Sequence, residues 1–506
     1  MQKSLILVTV DCLRADHVGF MGYDRPTTPF LDSLAHDNDS LVFPAAIVAG
    51  APTYYSFPAI MASRFPLALG RDLIGIAPSE PTLAAVLKQT GYATAAFSAA
   101  NPYISSRFGY QQGFDTFRDF LDDGSTASSD TNQEFSNGNG WAAKLNQKLQ
   151  QSSSGNKSLS TIYNEIYFEY CLRLASPEVK SLDTLRRFPA ANVIVDQARS
   201  WLASIGDAPF FLWLHLMDPH GPYYPVEKAV ELMGQRPVSP SRARYVNSFW
   251  NRSDVGPNRL ARHREEIVAL YDSGIRWVDT QMSRLIDELK NLKRWENCIF
   301  ALTADHGEEF LDHGGRFHSP SRLMEELIHV PLLLRVPGVS GKNTSPSPFS
   351  MLHLAPTLLD AAEVPIPQDF CGSSQWEQIN HGANWDEVVI AECVSGCTNP
   401  FRPQDRMGPR VLAVRESRYK LVLHFDRRAE QLFDLEADPG EHSPLPDTAE
   451  KSVRRRLLER AQQHLQHSIA DRDSGRRLQA RLREFRLEWL NSLRSKSGTK
   501  ASPVAS

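Results

Sequence analysis

The sequence predicts an α/β fold. A large three-layer α/β/α domain is built around a mostly parallel mixed sheet, and a smaller antiparallel-sheet subdomain and a C-terminal helix follow it. Patterns typical of strands and helices alternate through the first two-thirds of the chain, as in layered α/β folds. Residues 4–10 are almost all apolar, which is typical of a parallel strand buried on both faces. After about residue 365 the strand patterns follow one another, which indicates the antiparallel sheet.

Hydrophobic periodicity predicts the elements in chain order. Residues 264–292 carry apolar side chains at helical spacing and therefore form a long amphipathic helix. A shorter helix is predicted at residues 82–90. Buried strands are predicted at 92–98, 209–216, 297–303 and 329–336, and strands of the antiparallel sheet at 388–391, 411–415, 419–425 and 431–435.

These patterns divide the chain into a large domain and three smaller parts. The predicted parts are a main domain at 1–375, an antiparallel subdomain at 376–449, an Arg-rich helical extension at 450–495 and a disordered tail at 496–506. Residues 122–161 are rich in Ser, Asn, Gln and Gly and form an insertion, either a tolerated surface loop or a lid over the site. The apolar stripe of the extension is expected to pack on the body or on a second subunit.

Composition and charge narrow the class of protein. A formal net charge of −4 over 506 residues gives no reason to expect a nucleic-acid partner. No run approaches the ~20 apolar residues of a membrane span. The first apolar run continues directly into a charged segment, which favours a strand over a signal peptide. Six scattered cysteines without a CxxC pair predict reduced thiols and a cytoplasmic setting.

Polar side chains follow two of the predicted buried strands. Asp11 ends the first strand, and Asp305 and His306 end the strand at 297–303. In an open α/β sheet the carboxyl ends of strands face the ligand crevice, so we expect these three side chains to meet there. Carboxylate and imidazole groups are ligands of divalent cations, although helix capping is the competing role of each.

Histidines also follow the strand at 209–216. His215 lies near the end of this strand, and His220 follows it in the segment Asp218-Pro219-His220-Gly221-Pro222, where two prolines restrict the backbone. A single histidine beside a strand is usually structural, but two with an aspartate indicate the wall of a site. His318 lies in a glycine-containing loop beyond His306.

In this order, the motifs resemble the sulfatase branch of the alkaline phosphatase superfamily over nearly the whole chain. The residues that carry the resemblance are Val10-Asp11-Cys12-Leu13-Arg14, Asp218-Pro219-His220, Asp305-His306-Gly307-Glu308, His329-Val330-Pro331 and Leu354-Ala355-Pro356-Thr357. The resemblance implies a metal-dependent hydrolase of a small anionic ester, with a catalytic domain over residues 1–375.

The resemblance places the nucleophile at the start of a helix, where this chain has Thr53. Sulfatases carry a Cys or Ser there, which is converted to formylglycine, and Thr cannot be converted in this way. A metal-bound Thr is a sufficient nucleophile for phosphoryl transfer, and the helix N-terminus adds donors for an anionic oxygen. Ser56 is the competing nucleophile.

Further departures from the family pattern alter the metal site. Cys12 stands where sulfatases place a second aspartate, and His306 stands where many have asparagine. The lysine-bearing segments are replaced by segments that contain Asn101 and His318. More imidazole and fewer carboxylates favour Mn²⁺ or Zn²⁺ over Ca²⁺ or Mg²⁺.

The expected site therefore has one divalent ion held by Asp11, Asp305, His306 and Thr53, with Cys12 either a further ligand or a small buried residue. Whether His220 and His318 bind a second metal ion is left open. Thr53 is the expected catalytic nucleophile, and His220 or His318 the expected donor to the leaving oxygen. The residues expected to bind substrate are Arg14, Ser56, Asn101 and His215.

The favoured substrate is a phosphate mono- or diester, with transfer to an acceptor alcohol as a variant of hydrolysis. The alternatives are a sulfatase that works without formylglycine and a degenerate, non-catalytic binding protein.

Overall fold

The computed structural model describes residues 2–71, 73–121, 165–166, 168–169, 179–339, 348–383 and 387–469. The predicted insertion at 122–161, the tail at 496–506 and the extension beyond residue 469 lie outside these residues. The boundary near residue 375 stays a prediction.

An eight-stranded mixed sheet forms the centre of the main domain, in the order β10-β2-β9-β6-β1-β5-β3-β4. Every pair in it is parallel except those that β9 makes with β2 and β6, which confirms the predicted mostly parallel sheet. Its strands are β1 (Ser4–Val10), β2 (Ser40–Ile47), β3 (Ala93–Ser98), β4 (Thr116–Arg118), β5 (Phe210–Leu216), β6 (Cys298–Ala304), β9 (His329–Arg335) and β10 (Phe349–Ser350). A small hairpin of β7 (Glu309–Phe310) and β8 (Arg316–Phe317) follows β6.

The register of the three central strands positions the functional residues. All seven residues of β1 are buried, and the strand pairs in parallel with β5 on one side and β6 on the other. Val10 lies opposite Leu216 and Ala304, so the three strands end at the same level. The residues that follow these strands therefore meet at one edge of the sheet.

Two groups of helices cover the sheet. One group is α1, α4, α5 and α8, in which the 28-residue α8 contacts the other three, and the second is α2, α3 and α10. The helices are α1 (Pro29–Ala35), α2 (Thr53–Ala62), α3 (Leu83–Gln89), α4 (Ala191–Ser204), α5 (Glu227–Leu232), α6 (Pro240–Trp250), α7 (Pro257–Leu260), α8 (Arg264–Asn291), α9 (Glu325–Ile328), α10 (Leu354–Ala361), α11 (Trp376–Asn380) and α12 (Lys451–Ile469).

A four-stranded antiparallel sheet forms the predicted C-terminal subdomain. Its strands lie in chain order: β11 (Val388–Val394), β12 (Arg410–Glu416), β13 (Tyr419–His424) and β14 (Ala429–Asp434). The described part of the Arg-rich extension is α12, which packs its apolar residues Val453, Leu457 and Ala461 on this sheet. The apolar stripe of α12 is thus buried against the antiparallel sheet of the same chain. Assembly with a second subunit stays a prediction.

A buried charge cluster joins the subdomain to the main domain. Lys420 of β13 is fully buried, and its Nζ lies 3.0 Å from Oε1 of Glu325 and 2.8 Å from Oε1 of Glu441. Burial disfavours the charged amine, but Glu441 and Glu325 outweigh this effect and raise the pKa of Lys420. The amine is therefore the positive partner of two carboxylates out of water.

We expect Lys420→Met to lower the free energy of unfolding by about 3–5 kcal/mol, because it leaves the buried carboxylate of Glu441 without its cationic partner. Urea unfolding measures this loss. The control is Lys228→Met, whose surface pair with Glu231 leaves both side chains 62% exposed and which should cost only about 0–1 kcal/mol. Equal losses in the two variants would contradict the role given to Lys420.

His313, in the loop after β7, adds a pH-dependent contact between the main domain and the antiparallel subdomain. Its Nδ1–H donates to Oε1 of Glu326 at 2.8 Å, and its Nε2–H donates to the carbonyl of Glu441 at 3.2 Å. Both nitrogens donate only in the protonated ring. The hydrogen bond to Glu326 raises the pKa of His313 to about 9.

The stability lost in His313→Gln should therefore depend on pH. A raised folded-state pKa contributes stability that is complete below the unfolded pKa of about 6.5 and is lost as the pH rises through about 9. Unfolding curves of both proteins at several pH values between these limits and above measure the difference. A difference that does not change with pH would show that His313 is not protonated in the folded protein.

Candidate metal centre and active site

The three predicted metal ligands lie together at the ends of β1 and β6. Asp11, Asp305 and His306 are each 0% exposed. Nε2 of His306 lies 3.7 Å from Oδ1 of Asp11 and 3.4 Å from Oδ2 of Asp305. Parallel pairing of the two strands thus brings together side chains that are almost 300 positions apart in the sequence.

Thr53 is the first residue of α2, and it faces these ligands. Its Oγ1 lies 3.1 Å from Nε2 of His306. All ten residues of α2 are buried, so the helix has no exposed face and its start is held by packing on every side. Ser56, the competing nucleophile, donates its hydroxyl to the carbonyl of Thr53 at 3.1 Å. The geometry therefore favours Thr53.

Two residues behind Asp11 orient its carboxylate. Asn101 donates from Nδ2 to Oδ2 of Asp11 at 2.8 Å, and Nε2 of His215 lies 3.3 Å from the same oxygen. Nδ1 of His215 lies 2.9 Å from the hydroxyl of Thr9. Both residues were predicted to bind substrate. The structure places His215, which is fully buried, in a position to align Asp11 instead.

Asp305 and His306 are oriented by the turn after β6. Oδ1 of Asp305 accepts from the backbone N–H of His306 at 2.9 Å, whereas its Oδ2 is buried and makes no hydrogen bond. Nδ1–H of His306 donates to the carbonyl of Gly307 at 2.8 Å, which leaves Nε2 with its lone pair towards the carboxylates. A Cβ on Gly307 would lie 2.0 Å from the carbonyl oxygen of Glu326, so this turn requires glycine.

The electrostatics of the group fit a divalent cation. Burial and the neighbouring Asp11 raise the pKa of Asp305 well above its usual range. Burial opposes ionisation of Asp11 as well, but His220 and His215 outweigh it and lower the pKa of Asp11. Burial and His318 lower the pKa of His306 to about 4, so its ring is neutral. Two buried carboxylates, one with an oxygen that lacks a hydrogen bond, and a neutral imidazole are groups that can hold a divalent cation.

A second group of ligand-type side chains adjoins the first. Sγ of Cys12 lies 3.4 Å from Nδ1 of His318, and the rings of His318 and His220 are 5.2 Å apart. Ligand atoms of Cys12, His220 and His318 all lie within 4.8 Å of one another. Cys12 has a φ of +62°, a conformation that is rare for residues other than glycine and is concentrated at functional sites.

Arg14 has a different environment from the one expected of a substrate-binding residue. Its guanidinium pairs with Asp16 and Asp312, both at 2.8–2.9 Å, and donates to the carbonyl of Glu308 at 2.9 Å. The side chain is only 7% exposed. Substrate binding by Arg14 stays a prediction that this geometry does not favour, because its nitrogens already hold the turn after β6.

Glu308 is the site residue that sequence reasoning did not single out. It is 0% exposed, neither carboxylate oxygen makes a hydrogen bond, and Oε1 lies 3.4 Å from Nδ1 of His318. The signal was its position two residues after His306 in the motif Asp305-His306-Gly307-Glu308.

Comparisons with known proteins identify the family whose fold contains this site. The family model described as Sulfatase matches residues 3–364, and the model described as N-sulphoglucosamine sulphohydrolase, C-terminal, matches residues 315–467. Arylsulfatase K of Canis lupus familiaris is 27% identical over 277 residues, 49% of this chain and 50% of that protein. The chain thus spans about half the length of the curated relatives it matches.

Solved structures show the same fold. A structure in complex with its substrate, D-glucosamine-2-N,6-O-disulfate, aligns with a TM-score of 0.62 at 17% identity, covering 94% of this chain and 99% of that chain. The phosphonate monoester hydrolase of Agrobacterium radiobacter aligns with a TM-score of 0.60 at 17% identity, covering 92% and 95%.

The comparisons correct the expected cytoplasmic setting. The relatives include Arylsulfatase K, which is a sulfatase of the lysosomal or endoplasmic-reticulum type. The cysteine argument failed because a chain with a large hydrophobic core needs no disulfide framework in any compartment. Among the described residues, no helix has the length and apolar character needed to cross a membrane.

The two family models together cover most of the chain. The expected membership of the sulfatase branch of the alkaline phosphatase superfamily is thereby confirmed. The chain belongs to the sulfatase family.

Proposed function

We propose that this protein is a metal-dependent hydrolase that cleaves a phosphate mono- or diester through an unmodified Thr53. The observation that supports this most directly is the position of Thr53. It is the first residue of a fully buried helix, and its Oγ1 lies 3.1 Å from Nε2 of His306. A threonine cannot supply the formylglycine that sulfatases use. It is, however, a sufficient nucleophile for phosphoryl transfer when a cation lies beside it.

In this proposal Asp11, Asp305 and His306 hold the cation, and Mn²⁺ or Zn²⁺ is favoured because imidazole replaces a hard carboxylate. The bound ion would lower the pKa of the adjacent hydroxyl and neutralise charge on the ester. Asn101 and His215 keep Asp11 in the orientation that the site requires. Cys12 extends the donor set at the edge of this group.

The reaction follows from the placement of the chain's own side chains. The hydroxyl of Thr53 loses its proton to solvent, its Oγ1 forms a bond to phosphorus, and the bond from phosphorus to the leaving oxygen breaks. The backbone N–H groups at the start of α2 bind an oxygen of the transferred group. His220 and His318 offset the charge on the leaving oxygen. Water then attacks phosphorus and the bond from phosphorus to Oγ1 of Thr53 breaks, which restores the hydroxyl and releases phosphate from a monoester or a phosphate monoester from a diester. An acceptor alcohol that takes the place of water receives the phosphoryl group instead.

A sulfatase that works without formylglycine is the second candidate, and the family match favours it. A panel of aryl phosphate monoesters, aryl phosphate diesters and aryl sulfates, assayed with added Mn²⁺ or Zn²⁺, separates the classes. We expect kcat/KM to be highest for a phosphate ester. A preference for sulfate would overturn the proposed substrate class. If no ester were turned over, the result would contradict catalysis and support a non-catalytic binding protein.

We expect Thr53→Ala to lower kcat by about 10³-fold or more, because the covalent route is lost. Thr53→Ser is the matched control, since it keeps the hydroxyl and should retain most of the activity. Mass spectrometry of acid-quenched wild-type enzyme should find a phosphoryl group on the peptide that contains Thr53. Full turnover by the alanine variant would refute the nucleophile.

Asn101→Ala should weaken binding of the cation by about 10–100-fold, because Asp11 loses the donor that orients it. Competition with a chelator measures the affinity. Asn251→Ala, at an exposed position after α6, is the control and should bind the metal as the wild type does. Unchanged affinity in Asn101→Ala would show that Asp11 does not depend on this hydrogen bond or is not a ligand.

A further inference from the structure

We propose that Phe401, in the segment between β11 and β12, selects among ester substrates by binding an aromatic ring in the organic group of the ester. Phe401 is one of the large apolar side chains that stay exposed, at 39% of its surface. Two tyrosines, Tyr54 and Tyr103, connect it to the catalytic group. The inference rests on the proposed ester site, and it names the kind of organic group that such an ester carries.

Tyr54 connects the segment of Phe401 to the proposed nucleophile. It follows Thr53 in α2, and its hydroxyl donates to the carbonyl of Cys397, four residues before Phe401. The ring of Tyr54 lies 5.2 Å from that of Tyr103, with 62° between their planes. The segment is therefore held against the helix that begins with Thr53.

Tyr103 connects the same segment to the residues that orient Asp11. Its backbone N–H donates to Oδ1 of Asn101 at 3.0 Å, and Nδ2 of Asn101 donates to Asp11. The ring of Tyr103 stacks on Phe401, with 5.2 Å between the centroids and 21° between the planes. Burial raises the pKa of Tyr103, and Cys397 and Asp11 raise it further, which agrees with a hydroxyl close to the site. One amide and one ring thus lie between Asp11 and Phe401.

The ring of Phe401 is held in place although part of it is exposed. Tyr103 covers one face, and the ring of Phe108 lies 5.6 Å away, at 32°. The guanidinium of Arg107 lies 5.6 Å from the centroids of both Phe108 and Phe401. A side chain that is ordered before the ligand arrives loses little conformational freedom on binding, so its exposed surface contributes directly to affinity.

The charges beside Phe401 favour an anionic ligand over an apolar protein surface. Arg107 lies against the ring, and Arg402 follows Phe401 in the chain. Neither guanidinium makes an ion pair with another residue in the described part of the chain. Aromatic side chains pair favourably with aromatic rings in offset or edge-to-face arrangements. An anionic ester that carries an aromatic ring satisfies both features, and this is the substrate class that the aromatic cluster fits.

The test measures how the full chain, with added Mn²⁺ or Zn²⁺, binds two non-hydrolysable anions that differ only in their organic group. Isothermal titration calorimetry gives the affinities for phenylphosphonate and methylphosphonate. Wild type should prefer phenylphosphonate. Phe401→Ala should lower the affinity for phenylphosphonate by about 3–10-fold, because one aromatic pair is lost, and that for methylphosphonate by less than about 2-fold.

Two control variants separate the ring from the position. Phe401→Tyr keeps a ring and should retain the preference for phenylphosphonate. Phe425→Ala removes another exposed phenylalanine of the antiparallel subdomain, at 44% exposure, and should bind both anions as the wild type does. Phe401→Leu, which keeps an apolar side chain without a ring, gives the same measurement if Phe401→Ala does not fold.

Equal affinities of the wild type for the two phosphonates, or equal losses in Phe401→Ala, would overturn the proposal. Benzenesulfonate and methanesulfonate, measured in the same way, separate this inference from the proposed substrate class. If only the sulfonates bind and Phe401→Ala weakens only benzenesulfonate, the phosphate class is wrong and the role of Phe401 is supported. If the wild type binds none of the four anions, both proposals are wrong.

Discussion

Asp11 and Asp305 are two fully buried carboxylates held at the ends of neighbouring parallel strands, and their mutual repulsion is the constraint on which the rest of the site depends. Burial and the charge of Asp11 raise the pKa of Asp305. Without a cation the protein would have to keep one carboxylate protonated out of water. The neutral ring of His306 and the hydroxyl of Thr53 beside this pair are the groups that the proposed metal centre needs, and they provide no positive charge for a salt bridge.

The remainder of the fold holds these few atoms in place. The ten buried residues of α2 determine where Thr53 lies, and Asn101 and His215 hold Asp11 from behind. Arg14 holds the backbone of the turn after β6. Farther away, Lys420 links the antiparallel subdomain to the main domain through Glu325 and Glu441. Each support comes from a different part of the chain, so the site forms only when the whole domain has folded.

The altered residues are consistent with one another. Threonine at the nucleophile position removes the route to formylglycine, and Cys12 and His306 replace hard oxygen ligands by softer ones. Both changes point away from a calcium-dependent sulfatase and towards a phosphoesterase that uses softer divalent ions. A sulfatase fold thus provides the frame, and a small number of substitutions at the strand ends determine the chemistry.

The sequence alone determined the fold class and the central strands, because buried parallel strands have a clear apolar pattern. It also predicted that Asp11, Asp305 and His306 would lie together, because the carboxyl ends of these strands share one edge. It did not reveal β2, in which Pro44 lies at an irregularity between Phe43 and Ala46. Only the tertiary structure decided the roles of residues beyond the strand ends. Arg14 acquires Asp312 and the carbonyl of Glu308 as partners from a segment almost 300 positions away, and local periodicity contains no information about which segments will meet.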